Sequence, residues 1–348
     1  MRIELDCPNQ PHYSGSSVSG RVLVDVNKPK RYKCISIQFV GKAHVEWTEK
    51  RSGSGGPGSG VYVTVAPYTW SEVYLDVEQT LWTADQSPDG CLAPGKYKFP
   101  FRFDVPPSAP TSFEGTVGSI QYTLHGRIAT GPLRFDQQIE STIQVQQVVG
   151  ISDPHLLQSV HRKVQKTVCG LCSPSDPIVL TVTIPKTGYY VGETLPVHAT
   201  IENGSSRCVT LNASVCQSVQ YTAEGHHRYS KRMLVTNGSD KVASQTTHDW
   251  DPTLQIPATE HEVVDEQSCS NIKISYSLKV TVIIPWGLDL STEIPLKLGY
   301  IRELPPPAVF PPQPDVQVQP PPYPYDRPPP YSQTAPAPYP AAPIGWTP

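Results

Sequence analysis

At 348 residues, 38% of them hydrophobic, the chain is long enough for two domains of ordinary size and a tail, with a core in each domain. A net charge of −3 with 17% charged residues supplies neither the basic field that a nucleic acid requires nor an acidic low-complexity character. Eight cysteines, and a start (Met1, Arg2, Ile3, Glu4, Leu5, Asp6) without an apolar leader, predict reduced cytosolic thiols; the most apolar stretch, 274–290, is broken by Lys279 and Pro285, so no membrane span is expected.

From Arg21 onward apolar residues alternate: Val22, Val24 and Val26, then Ile35, Ile37 and Phe39, then Ala43, Val45 and Trp47. Period two marks half-buried strands. Between the first two runs, Lys28, Lys30, Arg31 and Lys33 read as a solvated loop face, the alternative being a contact with an acidic cargo segment or anionic lipid. Residues 52–60 are nearly all Gly and Ser, which predicts a hairpin tip or exposed loop. This is no phosphate loop, because Gly60 leads into Val61, Tyr62, Val63, Thr64 and Val65 rather than into a helix N-terminus. Tyr97, Phe99, Phe101 and Phe103 alternate with Lys98, Pro100, Arg102 and Asp104, and Pro100, lacking a ladder donor, predicts a sheet edge or a bulge. Ile120, Tyr122 and Leu124, then Ile139, Ile143 and Val145, complete a first all-β sandwich.

Residues 151–173 break the rhythm and read as a polar linker holding a short helical turn. Alternation resumes at Ile178, Leu180, Val182 and Ile184, at Leu195, Val197, Ala199 and Ile201, and at Val209, Leu211, Ala213 and Val215. The halves echo one another. Tyr13, Gly15, Val18, Val22 and Val24 align without gaps with Tyr190, Gly192, Leu195, Ala199 and Ile201, and Ile120, Tyr122, Leu124 and Ile128 with Ile274, Tyr276, Leu278 and Val282. Asp104, Val105, Pro106 likewise corresponds to Gln255, Ile256, Pro257, which points to a duplicated sandwich. The predicted organisation is an immunoglobulin-like sandwich over 1–150, a linker over 151–173, a second sandwich over 174–302 and a disordered proline-rich tail over 303–348. From Pro305 on, 18 of 44 residues are proline and three are charged, too few apolar groups for a core.

That tail holds two copies of Pro-Pro-any-Tyr: Pro320, Pro321, Pro322, Tyr323 and Pro328, Pro329, Pro330, Tyr331. Consecutive prolines pre-set the polyproline II helix, so little ordering entropy is left to lose on binding, and the tyrosine supplies an anchor. WW-type domains read such a ridge in an aromatic groove. Pro320, Pro321, Tyr323, Pro328, Pro329 and Tyr331 are therefore the candidate contacts, a solvated spacer being the plainer alternative. Pro336, Ala337, Pro338, Tyr339 lacks the second proline and is expected to bind poorly.

The sequence resembles the arrestin-domain-containing proteins, the alpha class of the arrestin family. In the first half the likeness is carried by Pro94, Gly95, Lys96, Tyr97, Lys98, Phe99, Pro100, Phe101, Arg102, Phe103 and Pro106, with Pro110, Ser112, Phe113, Gly118, Ile120, Gln121 and Tyr122. In the second it rests on Gly188, Tyr189, Tyr190, Val191, Gly192, Glu193 and on Ile201, Glu202, Asn203, Gly204, Ser205, Ser206. One departure is Gly15, Ser16, where the family's pattern has Gly-Glu. The resemblance implies a cytosolic adaptor, peripheral at plasma membrane and endosomes. Its arrestin fold would engage membrane receptors or transporters while the tail recruits a HECT-type ubiquitin ligase through WW domains. A trafficking scaffold independent of the ligase stays open beside it. No counterpart of the phosphate-sensing lysines of visual and beta arrestins is found, so phosphate-triggered binding is not carried over.

Cys169 and Cys172, with His155 and His161 upstream, are too loosely spaced for a zinc site and read as linker thiols, so neither metal nor cofactor is expected. His226, His227, Arg228, Lys231 and Arg232 read as an exposed hairpin. Asn203, Asn212 and Asn237 begin chance glycosylation sequons. A Gly-any-Ser-any-Gly in the 52–60 loop lacks the strand-to-helix context of a nucleophile elbow, so the chain does not read as an enzyme.

Overall fold

The computed structural model describes residues 1–8, 10–54, 61–130, 135–168, 176–257 and 269–300. Among them every regular element is a strand apart from two 3-10 turns, Ala84–Gln86 and Pro154–Leu157. The first sandwich contains β1 (Arg2–Leu5), β2 (His12–Tyr13), β3 (Ser17–Val26), β4 (Lys30–Arg31), β5 (Cys34–Ser54), β6 (Val61–Thr83), β7 (Cys91–Leu92), β8 (Gly95–Asp104), β9 (Phe113–Glu114), β10 (Gly118–Ala129), β11 (Gln137–Ile143) and β12 (Val145–Gln146). A sheet of order β1-β3-β8 packs on one of order β11-β10-β5-β6, with β9 also paired to β10.

The second sandwich contains β13 (Val160–Lys166), β14 (Ile178–Ile184), β15 (Gly188–Tyr190), β16 (Thr194–Pro196), β17 (His198–Asn203), β18 (Val209–Ala223), β19 (His226–Val242), β20 (Thr246–Trp250), β21 (Thr253–Gln255), β22 (Ile272–Ile283) and β23 (Leu290–Gly299). Its sheets run β13-β14-β17-β20 and β15-β23-β22-β18-β19. Both sandwiches belong to one compact unit, Met1–Arg302.

The alternation becomes burial strand by strand. Val18, Val22, Val24 and Val26 of β3 face inward, as do Ile35, Ile37 and Phe39 of β5 and Ile120, Tyr122 and Leu124 of β10. Ile272, Ile274, Tyr276, Leu278, Val280 and Val282 of β22 do the same in the second core. Each such side chain stabilises by about 1.5–3 kcal/mol relative to exposure, which is why the register cannot slip by one residue.

Two details differ from the sequence pattern. The four aromatics of β8 share a face, but only Phe101 and Phe103 are fully buried; Tyr97 and Phe99 stay half-buried at the sheet's margin and stack on each other at 6.0 Å. Strand β8 is an edge strand, where the missing N–H of Pro100 costs nothing. Second, residues read as linker include β13, which pairs along its whole length with β14 because Val160 and Val164 find an apolar face beside Ile184 and Leu180.

The duplication extends to individual hydrogen bonds. Gly15 and Gly192 both take positive φ, +79° and +82°, closing a turn in which Ser16 N donates to Tyr13 O (2.9 Å) and Glu193 N to Tyr190 O (3.0 Å). Gly15 N donates to Val105 O and Gly192 N to Ile256 O, each acceptor residue's own N–H bonding back to Ser16 O and Glu193 O. The serine at position 16 explains how the turn survives without a glutamate: Tyr13 N donates to Ser16 Oγ at 3.0 Å, as Tyr190 N does to Glu193 Oε2 at 2.9 Å. Beside the turns lie matching parallel pairs, β2 with β12 and β15 with β23.

Candidate interdomain seam and docking sites

The β5–β6 hairpin outruns its sheet, since β10 pairs with β5 only as far as Val45 whereas β6 continues the pairing to Ser54. Against this arm comes the β18–β19 hairpin of the second sandwich, whose turn needs positive φ at Glu224 (50°) and Gly225 (77°). Tyr68, 4% exposed, is packed between Trp47 and His226, with ring centroids 5.4 and 4.3 Å away. Glu224 Oε1 accepts from Thr69 N at 3.5 Å. The cluster from His226 to Arg232 is indeed on an exposed hairpin, but its first residue is part of a lock between the sandwiches.

Further contacts lie along the same seam. The turn after β9 reaches Tyr221, whose hydroxyl accepts from Thr116 N at 3.1 Å, and a cleft of about 290 Å³ opens there between Phe113, Gly115, Gln217, Tyr221 and Arg232. Buried Gln217 is satisfied on both ends: Arg232 Nε donates to its carbonyl (2.7 Å) and its amide donates to Tyr276 Oη (3.1 Å). Tyr74 and Ser270 both donate to Glu72 Oε2, at 3.0 and 3.3 Å. Burial, then the neighbouring Cys269 thiol, push the Tyr74 hydroxyl well above the ordinary tyrosine range, so it stays a donor. Beyond the seam, Val149 and Tyr300 exchange both backbone bonds at 2.9 Å, and Ile151 N donates to Tyr190 Oη at 3.3 Å. These bonds tie the segment joining the sandwiches to the end of the last strand.

The outer face of the β13-β14-β17-β20 sheet carries an ion pair, His198 Nδ1 with Asp251 Oδ1 at 2.6 Å. This hydrogen bond raises the imidazole above its ordinary pKa. A raised pKa stabilises the fold only while the ring is protonated. That contribution is present below the unfolded value near 6.5 and is lost as pH rises through the folded one. Asp251→Asn is expected to bring the His198 titration, followed by NMR, back toward the ordinary value and to flatten this part of the pH–stability profile. An unmoved titration would mean the carboxylate is not the cause.

The tyrosine anchors Tyr323 and Tyr331 and their prolines Pro320, Pro321, Pro328 and Pro329 lie outside the described residues, as do Cys169 and Cys172. His155 sits in the second 3-10 turn, and His161 on β13 bonds Thr183 Oγ1 at 2.9 Å. Among the described residues no group of three or more His, Cys, Asp or Glu side chains is placed to hold a metal. Lys28, Lys30, Arg31 and Lys33 are exposed around β4. No described helix is long and apolar enough to cross a membrane.

Two antiparallel sandwiches in tandem, related by duplication and locked along one seam, define the class of scaffold. The arrestin (or S-antigen) N-terminal domain family matches residues 1–152 and the C-terminal domain family residues 174–303. Human arrestin domain-containing protein 4 (Homo sapiens) is 34% identical over 299 residues, covering 83% of this chain and 68% of that protein. Its mouse counterpart (Mus musculus) is 34% identical over 297 residues, with the same coverage of each chain. Thioredoxin-interacting protein of Mus musculus is 26% identical over 302 residues, covering 86% of this chain and 73% of that one. The chain belongs to the arrestin family, within its alpha-arrestin class.

Proposed function

We propose that this protein is a non-enzymatic adaptor of the cytosol, peripheral at plasma membrane and endosomes. It joins membrane receptors or transporters to the WW domains of a HECT-type ubiquitin ligase so that cargo is ubiquitinated and sorted by endocytosis. One observation carries the reading: two intact Pro-Pro-any-Tyr tetrapeptides follow a tandem pair of arrestin domains. The two-domain unit offers loops and strand edges for cargo, and the tail offers a preformed ridge for the ligase. Domain limits of 1–150, 151–173, 174–302 and 303–348 belong to the same reading.

The tyrosines stand eight residues apart. In polyproline II form that spans at most about 25 Å, at ~3.1 Å per residue, so two WW domains engaged together must lie close. Tandem WW domains on beads should capture the full chain and lose it when Tyr323→Ala and Tyr331→Ala are combined. Either single change should cost less than the pair, because the second contact is intramolecular. Undiminished capture of the double variant would overturn the ligase half of the proposal. Phosphorylation of either tyrosine should block capture, since a dianion enters an apolar slot only at a high desolvation cost.

A further inference from the structure

Strand β6 pairs with β5 alone among the described residues, so along its 23 residues one row of backbone N–H and C=O groups has no strand beside it. Midway along it the second sandwich covers it, through Glu224 at Thr69 and Ser270 at Glu72. Residues 73–80 run on past that contact, Tyr74 still adjoining the Cys269 thiol. Val73 is 60% and Val77 46% exposed, and Asp76 and Glu78 are exposed with them.

An open edge invites pairing, and proteins guard it with charges, lysine above all, with proline or with bulges. Of the three described edge strands of ten residues or more, two carry cations; the third, β6, has register shifts at Tyr74 and Leu81 and an unbroken ladder from Leu75 to Thr80 between them. Strand β8 carries Lys96, Lys98, Pro100 and Arg102, and β19 carries Arg228, Lys231 and Arg232. From Tyr68 to Thr83, β6 has no lysine, arginine or proline; it has Glu72, Asp76 and Glu78. Carboxylates repel a second β6 laid alongside, but they attract a strand that carries cations. The same cation-bearing strand is repelled by β8 and β19.

We propose that residues 73–80 of β6 are a docking edge for an extended basic segment of the cargo, of the kind found beside the cytoplasmic end of a membrane span, where lysine and arginine accumulate. The proposal rests on the cargo half of the reading above. The segment adds by β-augmentation, backbone bonds giving affinity and alternate side chains giving selection. Register fixes the pattern. Asp76 and Glu78 stand opposite Val40 and Gln38 on the outer face, whereas Val77 stands opposite buried Phe39 on the inner face. Cations on alternate residues therefore meet the carboxylates, and apolar residues between them meet Val77 and the margin of β8, which packs against β6 and holds the half-buried Tyr97–Phe99 stack. The neighbouring cation Arg127 is engaged by Asp136 at 2.7 Å, and Lys42 stands opposite Val73.

The test uses the full chain and a labelled peptide of about ten residues in which lysine alternates with valine and threonine. Fluorescence anisotropy should show binding that weakens with salt, and hydrogen exchange should slow at residues 73–80. Asp76→Lys with Glu78→Lys, both exposed and so compatible with folding, should weaken binding about tenfold. A peptide of equal charge with prolines for valines should fail to bind, because it offers no ladder donors at those positions. Equal binding of that peptide, equal binding to the charge-reversed protein, or protection at another edge would overturn the docking edge. So would protection at 73–80 in concentrated protein without peptide, which would make a second copy the occupant. These readouts involve no cargo; if the peptide docks but the β6 charge reversal leaves receptor or transporter uptake in cells unchanged, the edge stands and the cargo assignment falls.

Discussion

Gly115→Ala is expected to loosen the seam between the two sandwiches by about 2–4 kcal/mol, the sum of an overpacking cost and one lost hydrogen bond. A Cβ at this position would sit 2.1 Å from the Tyr221 hydroxyl and 2.7 and 2.9 Å from Cε1 and Cζ of Phe113. Neither neighbour can move aside: Tyr221 is 1% and Phe113 4% exposed, one in each core. The turn must therefore retreat and take Thr116 N away from the Tyr221 oxygen it now reaches at 3.1 Å. Hydrogen exchange at Thr116 and Thr69, on opposite parts of the seam, reports the opening. Both amides should exchange faster while the core strands β10 and β22 keep their protection. Tyr221→Phe alone should cost about 1 kcal/mol, and in the Gly115→Ala background it should restore part of the loss by removing the clashing atom. Native exchange rates in Gly115→Ala would show that the turn has room to spare and that the seam is held elsewhere.

Such a seam is where reading from sequence stops. Alternation placed β3, β5, β10, β14, β17, β18 and β22 because burial of one sheet face writes a period of two into every strand, whatever the partner strand is. The duplicated Tyr-any-Gly turn was legible for a similar reason: a positive φ selects glycine locally, and both halves need it. The contacts of Tyr68 with His226, and of Thr116 with Tyr221, leave no such mark. They join residues 158 and 105 positions apart through a single ring or hydroxyl on strands that would look the same without them. Strand β13 was missed because an edge strand of seven residues with Arg162, Lys163 and Lys166 has too few apolar positions to show its period. The acidic edge of β6 was invisible for another reason: whether a strand is central or terminal in a sheet is a property of topology, and only then do Asp76 and Glu78 acquire a meaning. The tail motifs are the opposite case. The chemistry proposed for them is local, carried by consecutive prolines and one tyrosine, so it is argued from sequence alone.

Asn203→Ala should be among the most damaging single changes in the second sandwich, costing about 3–5 kcal/mol. The side chain is 1% exposed at the end of β17 and serves three strand ends at once. Its amide donates to Arg207 O at 2.9 Å and to Ala243 O at 2.8 Å, and its carbonyl accepts from Ser205 Oγ at 2.7 Å and Ser205 N at 3.3 Å. Each bond is worth only about 1 kcal/mol net, but alanine removes all four and leaves the N–H of buried Ser205 without its acceptor, at about 1–3 kcal/mol, while the exposed Ala243 O keeps Thr246 Oγ1 at 2.8 Å. Ser205, itself 1% exposed, retains a weaker contact to Arg207 O at 3.3 Å, which sets the upper limit on the loss. Asn203→Asp should be as harmful by a different route, since a carboxylate repels the two carbonyls that the amide now holds. Urea unfolding followed by exchange at β17 and β18 would show the midpoint falling with little change in slope, while β3 and β10 in the first sandwich keep theirs. If β17 were as stable in the variant as in the native chain, the turn from 203 to 207 would be held by its backbone alone, and the Asn-Gly-Ser-Ser stretch that helped to mark the second domain would need another explanation.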